Sequence, residues 1–355
     1  MENQHKSWSR RKLDHVNLAL QFSESPYKAG FDDIRLLHCA LPELSIDQID
    51  ITAEFMGRKL TAPLLINALT GGAEELTPFN KTLARVAART GIAMAVGSQS
   101  IALKNNKLAR TFAIVRENNP EGVILANVGA GIKCADALRA IEMIDADALQ
   151  VHLNIPQELI MAEGDRNFQN YLQNIVEIVT AVKVPVIVKE VGFGISREVA
   201  RTLLANGVVN FDIGGLGGTN FIVIENRRNK DECAAYFEEW GIPTVCSLVE
   251  VAGLHVPGQI VATGGIRNPL DAAKALALGA DMVGVAGAFI RIIKKGTENN
   301  LVDYINGFKE NLKKILLMSG AGNLKQLRQK PLLITGFCRE WLEQRGISTC
   351  VFAQR

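Results

Sequence analysis

From Pro63 onward the chain repeats one pattern: a short apolar run, a turn rich in Gly or Asn, then a stretch with apolar residues at three- and four-residue spacing. The apolar runs read as strands at 63–67, 92–97, 122–127, 148–152, 184–190, 208–214, 259–265 and 281–287. Helical spacing occupies 80–90, 135–144, 170–182 and 269–279. Strands and helices that alternate in this way build βαβ units with parallel strands. Eight of them predict a closed α/β barrel, the (β/α)8 TIM barrel, where an open doubly wound sheet usually has fewer. The expected layout is a barrel over 58–355 ending in a helical tail of one or two helices. Residues 1–57 precede it as an extension covering the barrel mouth. The connection 215–257 is long and charged, and it predicts a helix plus a mobile insertion that acts as a lid.

Period two decides where each side chain points. In 149–154, Leu149, Val151 and Leu153 share one face, and Gln150, His152 and Asn154 share the other. The apolar face meets the helices, which aims the polar set at the barrel mouth. Asn210 and Asp212 likewise point together, opposite Phe211 and Ile213. On one strand such a set reads equally well as a satisfied internal network. Polar residues at the ends of several strands favour a binding mouth, and in this fold chemistry collects at the carboxyl ends of the strands. Those ends carry Ala68-Leu69-Thr70, Gly97-Ser98-Gln99, Asn127, Lys189-Glu190, the run from Gly214 to Asn220, Thr263-Gly264-Gly265-Ile266-Arg267 and Ala286-Gly287. The last two glycine turns lie where barrels bind phosphate, with backbone N–H groups and a helix N-terminus ready for an anion.

Composition narrows the class. The chain has 355 residues, 48% hydrophobic but only 6% aromatic, so its core is aliphatic, as in a buried parallel sheet. A net charge of +2, with no basic run beyond Arg10-Arg11-Lys12, speaks against a nucleic-acid partner. Six scattered cysteines without CxxC spacing read as reduced thiols. No uninterrupted apolar stretch suggests a signal peptide or a membrane span. The expectation is a cytoplasmic protein without nucleic-acid or membrane partners. His38 and His255 have no chemical context in the sequence.

Taken in order, Arg11-Lys12-Leu13-Asp14-His15, LTGG at 69–72, GSQ at 97–99, HLNIPQE at 152–158, VKEVGFG at 188–194, GGLGGTNF at 214–221 and ATGGIRNP at 262–269 resemble type 2 isopentenyl-diphosphate isomerases, from about residue 10 to 290. The resemblance implies FMN used in its reduced form, Mg2+, NADPH as reductant, a small diphosphate substrate, and a homo-oligomer (tetramer or octamer). It places Ala68, Leu69, Thr70, Ser98, Asn127, Lys189, Gly218, Thr219, Gly264, Gly265, Arg267, Ala286 and Gly287 around FMN. It places Arg11, Lys12, His15, Ser98, His152, Asn154 and Gln157 around the substrate, the last three as catalytic residues, and Glu158 at the metal. For Lys189 two readings stand together: an ion pair with Asp212, and a place beside the N1–O2 edge of the flavin. Two departures are visible. Leu69 stands where many members have Met, and Ser100 stands where some have an arginine, whose phosphate contact Lys104 would have to supply.

The implied reaction adds a proton at one alkene carbon and removes one two carbons away, with no net redox change. An unactivated alkene needs a strong acid, and the mouth offers few: Gln157 is an amide and Glu158 is assigned to metal. Reduced flavin fills that gap. A 2-hydroxy-acid oxidase needs a histidine base and an arginine clamp after the sixth strand, where GGLGGTNF has neither. An inosinate-type dehydrogenase needs a cysteine there, and the nearest is Cys233. A non-catalytic sensor of phosphorylated ligands would leave His152, Asn154, Gln157 and Glu158 without a purpose.

Overall fold

The computed structural model describes residue 18 and residues 27–68, 71–229 and 235–355. Before the barrel come strand β1 (Ile34–Leu36) and a hairpin of β2 (Ala53–Phe55) and β3 (Arg58–Leu60). Its turn places Met56 and Gly57 at positive φ, the backbone a tight two-residue hairpin requires. The eight apolar runs then form β4 (Leu64–Ile66), β5 (Ala93–Ala95), β6 (Ile124–Gly129), β7 (Ala148–Leu153), β8 (Val186–Glu190), β9 (Asn210–Asp212), β10 (Ile260–Ala262) and β11 (Met282–Val285). Each pairs in parallel with its neighbours, and β11 returns to β4 to close the barrel. A last strand, β12 (Leu332–Ile334), lies outside the barrel and pairs antiparallel with β1.

Period two sorts the side chains of these strands into layers. Leu64, Ile66, Ile124, Val151, Val188, Phe211 and Val283 face outward and pack under the helices in the main core. Leu65, Ala95, Leu125, Ala148, Ile187, Val261 and Met282 face inward and form a separate core with Phe55. Two residues further along the same strands, the inward positions become Asn67, Gly97, Asn127, Gln150, Lys189, Thr263 and Gly284. Apart from Asn210, the barrel interior is thus apolar in its lower layers and polar at the top, beneath the carboxyl ends of the strands.

The polar layer is a connected network. Asn127 donates to Gln150 Oε1 (2.9 Å), Gln150 donates to Asn67 Oδ1 (3.1 Å), and Asn67 donates to Asp212 Oδ2 (2.9 Å). Thr263 donates to the other Asp212 oxygen. Two expectations change here. Gln150 is fully buried in this layer and does not reach the mouth. Asn210 lies one inward step below Asp212, where it donates to the Val186 carbonyl (3.1 Å) and accepts from Gln259 N (3.0 Å) near the opposite end. Alternation gives the direction of a side chain but not its depth in the barrel.

At that opposite end the β2–β3 hairpin closes the barrel. Phe55 is fully buried in the interior core, and Gln259 bonds Met56 N (2.9 Å) and the Glu54 carbonyl (2.7 Å). Further upstream, Val245 N donates to the Ala29 carbonyl (2.9 Å), and Lys274 donates to that of Phe31 (2.8 Å), so residues 29–31 run along the barrel flank. Residues 1–26 of the extension lie outside the described residues, apart from residue 18. The 215–257 connection holds helices Phe221–Asn229 and Thr244–Ala252, with 230–234 outside the described residues.

The C-terminal region is richer than one or two helices. It contains helices Glu298–Met318, Leu324–Gln329, Gly336–Gln344 and Cys350–Ala353, with β12 among them. This tail ties the N-terminal segment down. Besides the β1–β12 pairing, Cys338 N and Thr335 N donate to Asp33 Oδ2 (2.9 Å) and O (2.8 Å). Cys39, Cys134, Cys246, Cys338 and Cys350 are free thiols, and His38 and His255 are exposed.

Candidate active site

The carboxyl ends of the strands open into a cavity of roughly 1200 Å3. Every described residue expected in the site lines it. Ala68, Ser98 and Asn127 lie after β4, β5 and within β6. His152, Asn154, Gln157 and Glu158 lie at the end of β7 and on helix Ile155–Ile160, and Lys189 lies on β8. Gly218 and Thr219 follow β9, Gly264, Gly265 and Arg267 follow β10, and Ala286 and Gly287 follow β11. Arg11, Lys12, His15, Leu69 and Thr70 lie outside the described residues. Ser100 and Lys104 also line the cavity, and the Ser98 and Ser100 hydroxyls are 3.1 Å apart.

The β7 side holds a cluster of polar groups with one carboxylate. Asn127 Nδ2 is used on Gln150, so its Oδ1 is an acceptor, and it meets His152 Nδ1 at 2.8 Å. That contact puts a proton on Nδ1 and fixes the ring orientation. Asn154 donates to Glu158 Oε1 (2.7 Å), and Asp165 N donates to Oε2 (2.9 Å), so the carboxylate is oriented from both sides. Among the described residues no group of three or more His, Cys, Asp or Glu is gathered to hold a metal. Mg2+ fits here only as an ion that takes one protein carboxylate and completes its shell with water and substrate phosphate.

The β10–β11 side is built for an anion. Gly264 and Gly265 have φ of 102° and 76°. A Cβ on Gly264 would lie 2.1 Å from the Gly215 carbonyl oxygen, and one on Gly265 would lie 2.6 Å from that of Gly217. Only glycine permits the two loops to interlock this closely. Helix Gly287–Lys295 begins at the same place. Arg267 reaches the cavity while donating to the Gly217 carbonyl (3.3 Å). In the ring of eight, β7 and β11 are four strands apart, so the polar cluster and the anion cradle face each other across the mouth.

Between them lies the floor. Lys189 Nζ sits 3.9 Å from Asp212 Oδ2 and donates to the Glu190 carbonyl (2.7 Å). The internal ion pair exists, and the same ammonium lines the cavity. Glu190 is buried beside it. One of its oxygens accepts the amides of Val191 (2.6 Å), Gly192 (2.8 Å) and Phe193 (2.6 Å). Burial pushes its carboxyl up to about 7, against the pull of those amides and of Lys189.

Sequence reasoning missed one residue in the cradle. Arg291 lines the cavity one helical turn beyond Gly287, and its Nη1 is buried without a hydrogen-bond partner. An arginine at i+4 from a glycine that opens a helix is a readable spacing, because helical side chains lean toward the N-terminus.

A family model of FMN-dependent dehydrogenases matches residues 153–334. The isopentenyl-diphosphate delta-isomerase of Moorella thermoacetica is 51% identical over 336 residues, covering 95% of this chain and 96% of that protein. The enzyme of the same name from Staphylococcus haemolyticus is 42% identical over 338 residues, covering 95% and 97%. Among solved structures, a lactate oxidase from Pediococcus acidilactici superposes with a TM-score of 0.64 at 17% identity, covering 86% of this chain and 85% of its own. A mutant flavocytochrome b2 with pyruvate bound gives 0.67 at 17%, covering 94% and 85%. At that identity these structures speak for the shared barrel alone. The sequence relatives say more, since they match the chain almost from end to end: it belongs to the type 2, FMN-dependent isopentenyl-diphosphate delta-isomerase family.

Proposed function

We propose that this enzyme interconverts isopentenyl and dimethylallyl diphosphate in isoprenoid biosynthesis, using FMN in its reduced form and Mg2+, with NADPH as reductant. The observation that carries the reading is the pairing, in one cavity, of the anion cradle after β10 and β11 with the His152, Asn154, Gln157 and Glu158 cluster after β7. One side suits the cofactor phosphate and the other a small polar-headed substrate.

The residues divide the work accordingly. Gly218, Thr219, Gly264, Gly265, Arg267, Ala286 and Gly287 would hold the FMN phosphate through backbone N–H groups, a hydroxyl and a guanidinium. Ala68, Leu69, Thr70, Ser98 and Asn127 would flank the ring, and Lys189 would meet its anionic edge. The flavin, when bound in reduced form, supplies the proton-donating nitrogen and the electron density that the side chains here lack. Arg11, Lys12, His15 and Ser98 would bind the substrate diphosphate, and Glu158 would hold Mg2+ against it. His152, its ring fixed by Asn127, and Asn154, held by Glu158, would orient the substrate. Gln157 would place the alkene over the ring. One C–H bond forms at a terminal alkene carbon and another breaks two carbons away, so protons balance and no electrons are transferred overall. A cytoplasmic homo-oligomer, tetramer or octamer, fits this family reading. Among the described residues no helix is long and apolar enough to cross a membrane.

The test is to incubate the protein anaerobically with FMN, NADPH, Mg2+ and isopentenyl diphosphate and follow the alkene protons by NMR. Formation of dimethylallyl diphosphate that depends on reduced flavin is the expected result. A flavin-loaded sample that converts nothing would overturn the isomerase reading and direct attention to 2-hydroxy acids.

A further inference from the structure

Arg291 stands in the first helix after β11, opposite the His152 cluster. Its Nη1 is buried and lacks a hydrogen-bond partner. Among the described residues, no carboxylate lies within ion-pair distance of its guanidinium. Protein interiors rarely leave a buried donor unpaired, because a desolvated N–H without an acceptor is costly. The direction of the side chain shows where it would hold an anion. A Cβ built on Gly287 would lie 3.6 Å from Arg291 Nη1 and 3.8 Å from Thr219 Oγ1. Guanidinium and hydroxyl therefore meet at the opening turn of helix Gly287–Lys295, where the Gly287 and Ala288 N–H groups have no carbonyl within the helix. Arg267, from the β10 loop, lines the same cavity. Two guanidiniums, a hydroxyl and a helix N-terminus describe a site for a dianion.

We propose that Arg291 is a counter-charge of the cofactor's phosphate monoester and the residue by which this chain distinguishes FMN from riboflavin. The proposal rests on the FMN reading above. A charge-assisted, forked contact to phosphate is stronger than a neutral one, and Arg is the side chain suited to it. The flavin-ring residues Ser98 and Asn127 come from β5 and β6, two and three strands from β11 around the barrel. Loss of Arg291 should act on the phosphate more than on the ring, a difference that riboflavin reads directly.

The experiment titrates flavin-free protein with FMN and, separately, with riboflavin, reading flavin fluorescence. Wild type should prefer FMN. Arg291→Gln should bind FMN roughly 10- to 100-fold more weakly and riboflavin as before, the range expected for one charged hydrogen bond. Arg291→Lys keeps the charge without the fork and should fall between, which decides the matter if the Gln variant does not fold. FMN affinity unchanged in both variants overturns the proposal. So does an equal loss for FMN and riboflavin, which would mark Arg291 as a packing residue. A wild type that binds neither flavin would instead refute the FMN reading itself.

Discussion

Glu190 shows how much one side chain here depends on what surrounds it. In the sequence it is an acid beside a lysine at a strand end. In the fold its carboxylate is buried, with three successive amides on one oxygen, and its pKa rises from an ordinary 4.5 to about 7. The folded protein then holds this proton more tightly than the unfolded chain does. Between about pH 4.5 and 7 its contribution makes stability fall as pH rises, and outside that window the contribution is flat. Glu198, held down to about 2 by its hydrogen bonds with Arg345, contributes with the opposite sign between about pH 2 and 4.5, so its effect ends where this window begins. Glu190→Gln should therefore flatten the pH dependence of Tm between 4.5 and 7 relative to wild type. Identical slopes would mean that Glu190 stays ionised throughout. Period two and strand ends are local properties, so cavity-lining residues such as Asn127, His152 and Lys189 could be read from the sequence. Arg291 and Glu190 acquired their meaning only from burial.

Among the elements, the C-terminal helices were the least legible. Their reason lies in partners far away in sequence. β12 pairs with β1 about 300 residues earlier (Ile34 with Ile334), and helix Gly336–Gln344 packs on helix Thr244–Ala252 through Glu250. That buried carboxylate accepts from Trp341 Nε1, Arg345 Nε and Arg197 N, each at 2.9 Å. Burial alone would raise its pKa, and Arg345 with Trp341 brings it below the ordinary range. Arg345→Ala removes one of these donors and should cost about 1–3 kcal/mol, read from the midpoint of denaturant unfolding. A midpoint that does not move would show that water replaces the arginine at no cost. No local periodicity announces such a contact, because helical spacing in 336–344 says only that one face is apolar and not what covers it.

Across the whole molecule the two ends of the barrel have different duties. The carboxyl end carries the cavity, and the hairpin with Phe55 fills the other end. Phe55→Ala should open a cavity in the lower core and cost about 3–5 kcal/mol of stability. The polar layer of Asn67, Asn127, Gln150 and Asp212 separates that core from the site, so FMN affinity should stay at the wild-type level. Calorimetry and a flavin titration of the same sample check both halves, and a loss of flavin affinity would show that the plug supports the site. The alternation of strands and helices, the inward and outward faces and the glycine turns were determined by the sequence alone, because each depends on neighbours within a few residues. Closure decided the rest. Which inward residue lies at which depth follows from the tilt and stagger of eight strands. That is why Gln150 is buried below the mouth, Asn210 faces the far end, and an arginine four residues past a glycine faces an anion site.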